Sequence, residues 1–241
     1  MRVLVNGAGG RMGACVQRAA KEGFHGAELA AAVSVRDGSL EGFHGPADCI
    51  IDFSNRAATA PLLDYALGRG LPVVIATTGQ TEQDMEQIRR AAETIPVFRS
   101  GNMALGVTLM CQLVKTAVKA FPGAQVEILE IHHTGKADVP SGTAVMLGEA
   151  ALAVRPGAHL TVGRPAGHGL RDENEITIHS LRMGNIVGTH EVIINAGTQV
   201  LTLKHEALDR AMFAEGAIIA AEFLLRQKPG LYDMQDLAAA L

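Results

Sequence analysis

Basic residues are in slight deficit: 21 Lys and Arg against 25 Asp and Glu leave a formal charge of −4. Non-specific grip on a phosphate backbone needs clustered Lys and Arg, so the composition gives no support to nucleic acid as a partner. Cysteine is scarce. Cys15, Cys49 and Cys111 are an odd number, far apart and in apolar surroundings, without the CxxC or Cys/His spacing of a zinc site. They are expected as reduced core thiols of a cytoplasmic protein, and no metal is expected. Long apolar runs are missing too. Nothing approaches the roughly 18 to 20 residues that cross a bilayer, and the opening MRVLVNGAGG is too short a run for a secretory signal, so no membrane association is expected. Repeats, low-complexity tracts and an obvious linker are also lacking. What is present is 241 residues, 48% hydrophobic, enough for a sizeable core in one large domain or two small ones.

From Arg2 to about Arg99 short β-branched runs alternate with helical patterns. RVLVN, ELAAAVSV, DCIIDFS, PVVIATTG and IPVFRSGN read as strands, with helices over Arg11 to Gly23, Arg56 to Gly70 and Glu82 to Glu93. Continuous hydrophobicity marks strands buried on both faces, and intervening helices imply a parallel sheet. The expectation is a doubly wound, Rossmann-like α/β domain. After Asn102 the pattern changes to a helix over Leu105 to Lys119, a strand through AQVEILEIHH and a helix over Ser141 to Val154. Strands at EITIHSLRM, IVGTHEVIIN and TQVLTLKHE, separated by GN and AG turns, predict a second, α+β domain with a mostly antiparallel sheet. A final helix near Asp209 to Arg226 fits either half.

VNGAGGRMG places Gly7, Gly10 and Gly13 between the first strand and the first helix. Glycines there permit a tight turn, close approach of a pyrophosphate to free helix N–H groups, and tight helix–strand packing. At the end of the second strand many such sites carry an acid for the ribose hydroxyls; here Ser34, Val35 and Arg36 occupy the position. Neither NADH nor NADPH is then strongly excluded, and Arg36 is a candidate for the adenine or a 2′-phosphate, with a lean to NADPH. Ligands of open α/β sheets collect at the C-terminal strand ends, which makes Thr77, Thr78 and Asn102 candidates for the nicotinamide end.

EIHHTGKADVPSGTA sets His132 and His133 side by side, and on an extended chain they face opposite ways. That divergence, with no Asp, Glu or Cys at a matching spacing, argues against zinc. PSGTA reads as a helix opening, where Ser141, Thr143 and the first-turn N–H groups make an anion site beside Lys136. A carboxylate-bearing substrate next to a histidine that moves protons near neutral pH fits this set. A nicotinamide that supplies hydride leaves its acceptor needing a proton, so the two halves of the chain would share one reaction.

GAGGRMG, DFS, TTG, EIHHTGKADVPSGTA, LRMGNIVGTHEV, the H-x-A-x-x-R-x-x-F-A-x-G-A pattern and GLYDM occur in the order seen in the dihydrodipicolinate reductase family, which the whole chain resembles. The resemblance implies NADPH- or NADH-dependent reduction of 4-hydroxy-tetrahydrodipicolinate, a cyclic dicarboxylate of lysine and diaminopimelate biosynthesis. It implies His132 as general acid/base and Lys136 as second proton donor and carboxylate partner, with His133, Ser141, Gly142 and Thr143 at the substrate. For the cofactor it implies the loop of Gly7, Ala8, Gly9, Gly10, Arg11 and Met12, then Ala76 to Thr78, then Ser100, Gly101, Asn102 and Met103, in addition to Ser34 and Arg36. It further implies a dinucleotide-binding domain over 1–103 with 213–241, a substrate-binding and oligomerisation domain over 104–212, and a homotetramer. The family commonly has Gly at Ala76, Ser at Ala104, Asn at Thr108 and an acid near Ser34 or Val35; these departures bear on cofactor affinity. Two rivals are a nucleotide-binding sensor that has lost catalysis and another two-domain dehydrogenase acting on an amino acid or imine.

Overall fold

The computed structural model describes residues 1–34 and 39–241, which form two compact units. The first comprises Met1–Leu105 and Arg210–Leu241. Its strands β1 (Arg2–Asn6), β2 (Glu28–Val33), β3 (Cys49–Asp52), β4 (Val73–Ile75) and β5 (Pro96–Arg99) are joined by the chain's last strand, β11 (Gly230–Tyr232). They lie in the order β11-β5-β4-β3-β1-β2, and every neighbouring pair is parallel. Successive side chains of a strand point to opposite faces, and these strands bury both. Val3, Val5, Ile51, Val74 and Phe98 join one core cluster, while Leu4, Ile50, Val73, Ile75 and Val97 join another. The uninterrupted apolar runs follow from that two-sided burial.

Helices α1 (Arg11–Lys21) and α6 (Ala211–Leu224) cover the first face, whereas α2 (Thr59–Arg69) and α3 (Glu82–Ala92) cover the second. Small residues let α6 approach closely: Ala214, Ala217, Ala220 and Ala221 are fully buried, and a Cβ on Gly216 would lie 1.8 Å from the Met103 carbonyl oxygen. Thr81 and Asp84 form a reciprocal capping box that starts α3. The helix that fitted either half of the sequence thus packs with the parallel sheet, and α7 (Met234–Ala239) follows it.

The second unit, Gly106–Asp209, holds nearly all of α4 (Leu105–Ala120), then β6 (Gln125–His132), α5 (Gly142–Leu152), β7 (His159–Val162), β8 (Glu175–Arg182), β9 (Gly188–Asn195) and β10 (Val200–Ala207). The strand order is β10-β9-β6-β8-β7. β9 pairs antiparallel with β10 and β6, but β8 pairs parallel with β6 and β7, so the sheet is mixed rather than mostly antiparallel. The Ala196–Gly197 turn closes a hairpin as expected. The Gly184–Asn185 turn does not, because β6 lies between β8 and β9. The backbone groups of that connection go instead to the end of β6: His133 N–H donates to the Ile186 carbonyl at 2.7 Å and Met183 N–H to the His132 carbonyl at 2.9 Å. The short β7, with four residues and no alternation of its own, escaped the sequence pattern.

Candidate active site

In the first unit the loop after β1 is shaped by what its glycines omit. Gly7 has φ +82°, and a Cβ there would fall 2.5 Å from the Phe53 backbone. One on Gly13 would fall 2.3 Å from the Gly7 carbonyl oxygen, so only glycine lets α1 begin this close to the turn. Gly10 is the N-cap of α1 and has no side chain to cap with, which leaves the first-turn N–H groups of Arg11, Met12 and Gly13 to an incoming anion. Gly9 and Gly10 are exposed and Ser34 is buried; together with Gly7, Asn6 and Phe53 they line a cavity of about 260 Å³. An adjoining cavity of about 420 Å³ is lined by Leu40, Ala58, Pro61 and Leu62, again with Asn6 and Ser34. A phosphate-accepting turn beside a second cavity that is half apolar and half polar in its lining, Ser39 and Glu41 included, fits a dinucleotide. Arg36 lies outside the described residues.

Behind this loop sits Asp52, 2% exposed at the end of β3. Asn6 Nδ2 (2.7 Å), Ser54 Oγ (2.5 Å) and Thr77 Oγ1 (2.6 Å) all donate to it. Burial pushes its carboxyl above the ordinary range, and the three donors oppose that rise. The Thr77 hydroxyl is therefore turned onto Asp52, and its loop is tied to the strand ends. Thr78 remains exposed and meets the neighbouring loop, where a Cβ on Gly101 would touch its methyl at 3.4 Å. Ser100 and Asn102 fold that second loop: Ser100 Oγ donates to the Asn102 carbonyl, and Asn102 Oδ1 accepts from Ala104 N–H. The side chains of Ala76 and Met103 are core members beneath α1 and α6, while Ala8 and Met12 pack at its margin. Arg11 is exposed.

In the second unit β6 alternates, with Val126, Ile128, Glu130 and His132 buried on one face. The alternation that brings two aliphatic residues into the core carries a carboxylate and an imidazole in after them. His132 Nδ1 lies 2.5 Å from Glu130 Oε2. Glu130 has no exposed surface; both Arg182 terminal nitrogens donate to it at 2.8 Å and Ser141 N–H at 3.2 Å. Burial raises the Glu130 carboxyl, but the hydrogen bonds from Arg182, His132 and Ser141, together with the Ser180 hydroxyl, outweigh that and hold it at about 2. Burial draws His132 below its usual value despite the neighbouring carboxylate, assisted by Lys136 and Arg182.

His190 faces Glu130 across the β6–β9 register and packs edge-on to His132, ring centroids 5.1 Å apart. Burial, then the neighbouring His132, lowers it to about 4. Its Nε2 is 3.0 Å from Ser141 Oγ, and that oxygen accepts from Ala144 N–H as the N-cap of α5. Gly142 is exposed and Thr143 half-buried in the first turn of that helix. His133 is half-buried just past β6, and the Lys136 side chain, 22% exposed, pairs through its ammonium with Asp138 at 2.8 Å. His132, Lys136, Ser141, Gly142 and Thr143 thus occur in one unit around the mouth of α5. Among the described residues no group of three or more His, Cys, Asp or Glu is placed to hold a metal, and no helix is long and apolar enough to cross a membrane. Burial pushes the Cys49 thiol up to about 12 and also raises Cys111.

Residues 1–103 match the family described as dihydrodipicolinate reductase, N-terminus, and residues 106–238 its C-terminus. The chain belongs to the dihydrodipicolinate reductase family. It is 42% identical over 246 residues to the 4-hydroxy-tetrahydrodipicolinate reductase of Caldanaerobacter subterraneus subsp. tengcongensis, covering 98% of both chains. It is 39% identical over 239 residues to the enzyme of that name from Rickettsia africae, again covering 98% of both. A dipicolinate-bound dihydrodipicolinate reductase from Paenisporosarcina sp. TG-14 is similar in structure, with a TM-score of 0.78 and 25% identity over 100% of this chain and 99% of that one.

For this reductase-family chain, sequence reasoning missed Glu130, Arg182, His190 and Asp52. Glu130 carried a usable signal, since it lies two residues before His132 and a strand places i and i+2 on one face. Arg182 and His190 reach the site only through pairing with β6 from positions about fifty and sixty residues later in the chain, and no local pattern encodes that register.

Proposed function

We propose that the chain catalyses the NADPH- or NADH-dependent reduction of 4-hydroxy-tetrahydrodipicolinate to tetrahydrodipicolinate, with loss of water, in lysine and diaminopimelate biosynthesis. The observation that carries this reading is a buried histidine with its own carboxylate, set beside a helix N-terminus and an ammonium, in a chain of this family. A dicarboxylate needs two anion-accepting positions. The first turn of α5, at Gly142 and Thr143, provides one, and Lys136 provides the other by exchanging Asp138 for substrate. His133 and the Ser141 cap complete the grip. Bound at the loops of Gly7–Met12, Ala76–Thr78 and Ser100–Met103, the nicotinamide cofactor supplies the hydride. His132 supplies the proton, with Lys136 as a second donor. Arg36 and Ser34 are assigned to the adenosine end, with a lean towards NADPH.

The protein is further proposed to be a cytoplasmic homotetramer. Apolar exposure along the second unit's sheet supports this reading, because Leu181 on β8, Met183 just past its end and Val200 on β10 are each about half exposed. Oxidation of NADPH and NADH with freshly condensed pyruvate and aspartate semialdehyde tests substrate and cofactor together. Turnover with both cofactors, faster with NADPH, is expected. Turnover only with simple imines or amino acids would overturn the assignment, and a monomeric mass by light scattering would overturn the tetramer.

A further inference from the structure

We propose that Glu130, anchored by Arg182, acts with Gly188 to make His132 Nε2 the single working nitrogen of the site, a reading that rests on His132 being the proton donor. Three observations lead there. First, every acceptor position of Glu130 is engaged. Oε1 takes one N–H of Arg182 and the N–H of Ser141, while Oε2 takes the other Arg182 nitrogen and His132 Nδ1. An ionised carboxylate only accepts, so Nδ1 carries the hydrogen. Moving that hydrogen onto Glu130 would dissolve a buried bidentate ion pair, so it stays on the ring.

Second, the ring cannot swing, because the Glu130 contact holds one edge and His190 packs against it at 71°. Third, the space beside Nε2 is kept free of side chain by Gly188, where a Cβ would lie 2.9 Å from Nε2 and 3.4 Å from Cδ2. Gly188 has no positive φ to explain its glycine, so the nearby ring is the reason on the structure. In the proton-transfer step the Nε2–H bond breaks, its electron pair stays on Nε2 and the proton goes to the substrate that is being reduced by hydride. The imidazole left behind is the neutral Nδ1–H form that Glu130 already binds. The charged and titratable groups around this ring are Glu130 on β6, Arg182 on β8, His190 on β9 and His205 behind it on β10, with Lys136 and Asp138 in the following loop.

The test pairs a measurement without substrate with one of turnover. Nitrogen-15 NMR of the parent's histidines should find the neutral His132 ring protonated on Nδ1. In Glu130→Gln the Nε2–H form should become populated and the His132 titration should move to lower pH, because an anion that favours the charged ring is gone. The loss of kcat with rising pH should begin correspondingly earlier, and kcat should fall roughly 10- to 10³-fold. Gly188→Ala keeps every charge and should keep the Nδ1–H form, yet lower kcat about tenfold with an unchanged KM for the cofactor; it carries the test if Glu130→Gln does not fold. A parent ring protonated on Nε2, or an unmoved pH profile and near-parent kcat in Glu130→Gln, overturns the proposal. Normal turnover in His132→Gln would overturn the underlying reading as well, and the tautomer measurement shows which of the two failed.

Discussion

The loops of the first unit and the histidine cluster of the second solve opposite problems. Around Gly7 and Gly13 the structure is made by omission, with missing Cβ atoms and uncapped N–H groups. Around His132 it is made by concentration: a fully buried carboxylate, a guanidinium and two imidazoles share the end of a sheet. The difference teaches where each site is fragile. Volume governs the first, so one methyl group is a large perturbation. Charge balance governs the second, so loss of one partner strands another in a buried place.

The largest expected effect lies in the charged cluster. His132→Gln should lower kcat by roughly 10² to 10⁴-fold, the range for removing a general acid, measured in steady-state assays; a near-normal rate would erase the contrast. Next comes Gly13→Ala, whose new methyl meets backbone and has nowhere to go. It should cost about 3 kcal/mol in denaturant unfolding, and a loss under 1 kcal/mol would show that the loop relaxes.

The two regions should also part with pH. His190 in the fold titrates at about 4, below its ordinary 6.5, so the unfolded chain takes up a proton that the fold refuses. Stability is therefore full above 6.5 and declines as pH falls towards 4. Glu130, held at about 2 against an ordinary 4.5, adds a second loss below 4.5. Urea midpoints across pH 4 to 7 should show the first decline, and His190→Gln should flatten it; an equal slope in that variant would count against the buried neutral ring. The smallest effect is Ser141→Ala, a lost helix cap of about 1 kcal/mol with less harm to turnover than Lys136→Ala.

The same contrast decides how much was readable in advance. Continuous runs such as CIID bury both faces, so the parallel sheet was legible, and Gly7 announced a backbone position that only glycine fills. The Ser141 cap of α5 was legible for an equally local reason, a small hydroxyl residue at a helix opening. The insertion of β6 between β8 and β9 was not, because a turn such as Gly184–Asn185 looks the same whether it closes a hairpin or spans an intervening strand. With that register went Arg182 and His190. Asp52 stood in plain view within DFS together with one of its donors, Ser54, but its other two donors, Asn6 and Thr77, come from separate segments, which no short pattern displays.

The most direct test of this division compares single-turnover rates of His132→Gln and Gly9→Ala across cofactor concentration. A Cβ on Gly9 makes only ordinary contact, 3.5 Å from the Ser34 side chain, so the variant should fold while intruding on the cavity of the first unit. The account predicts that Gly9→Ala regains the parent rate once cofactor is saturating, while His132→Gln binds cofactor like the parent and stays slow at every concentration. A slow Gly9→Ala at saturation, or a His132→Gln that binds cofactor weakly, would contradict it.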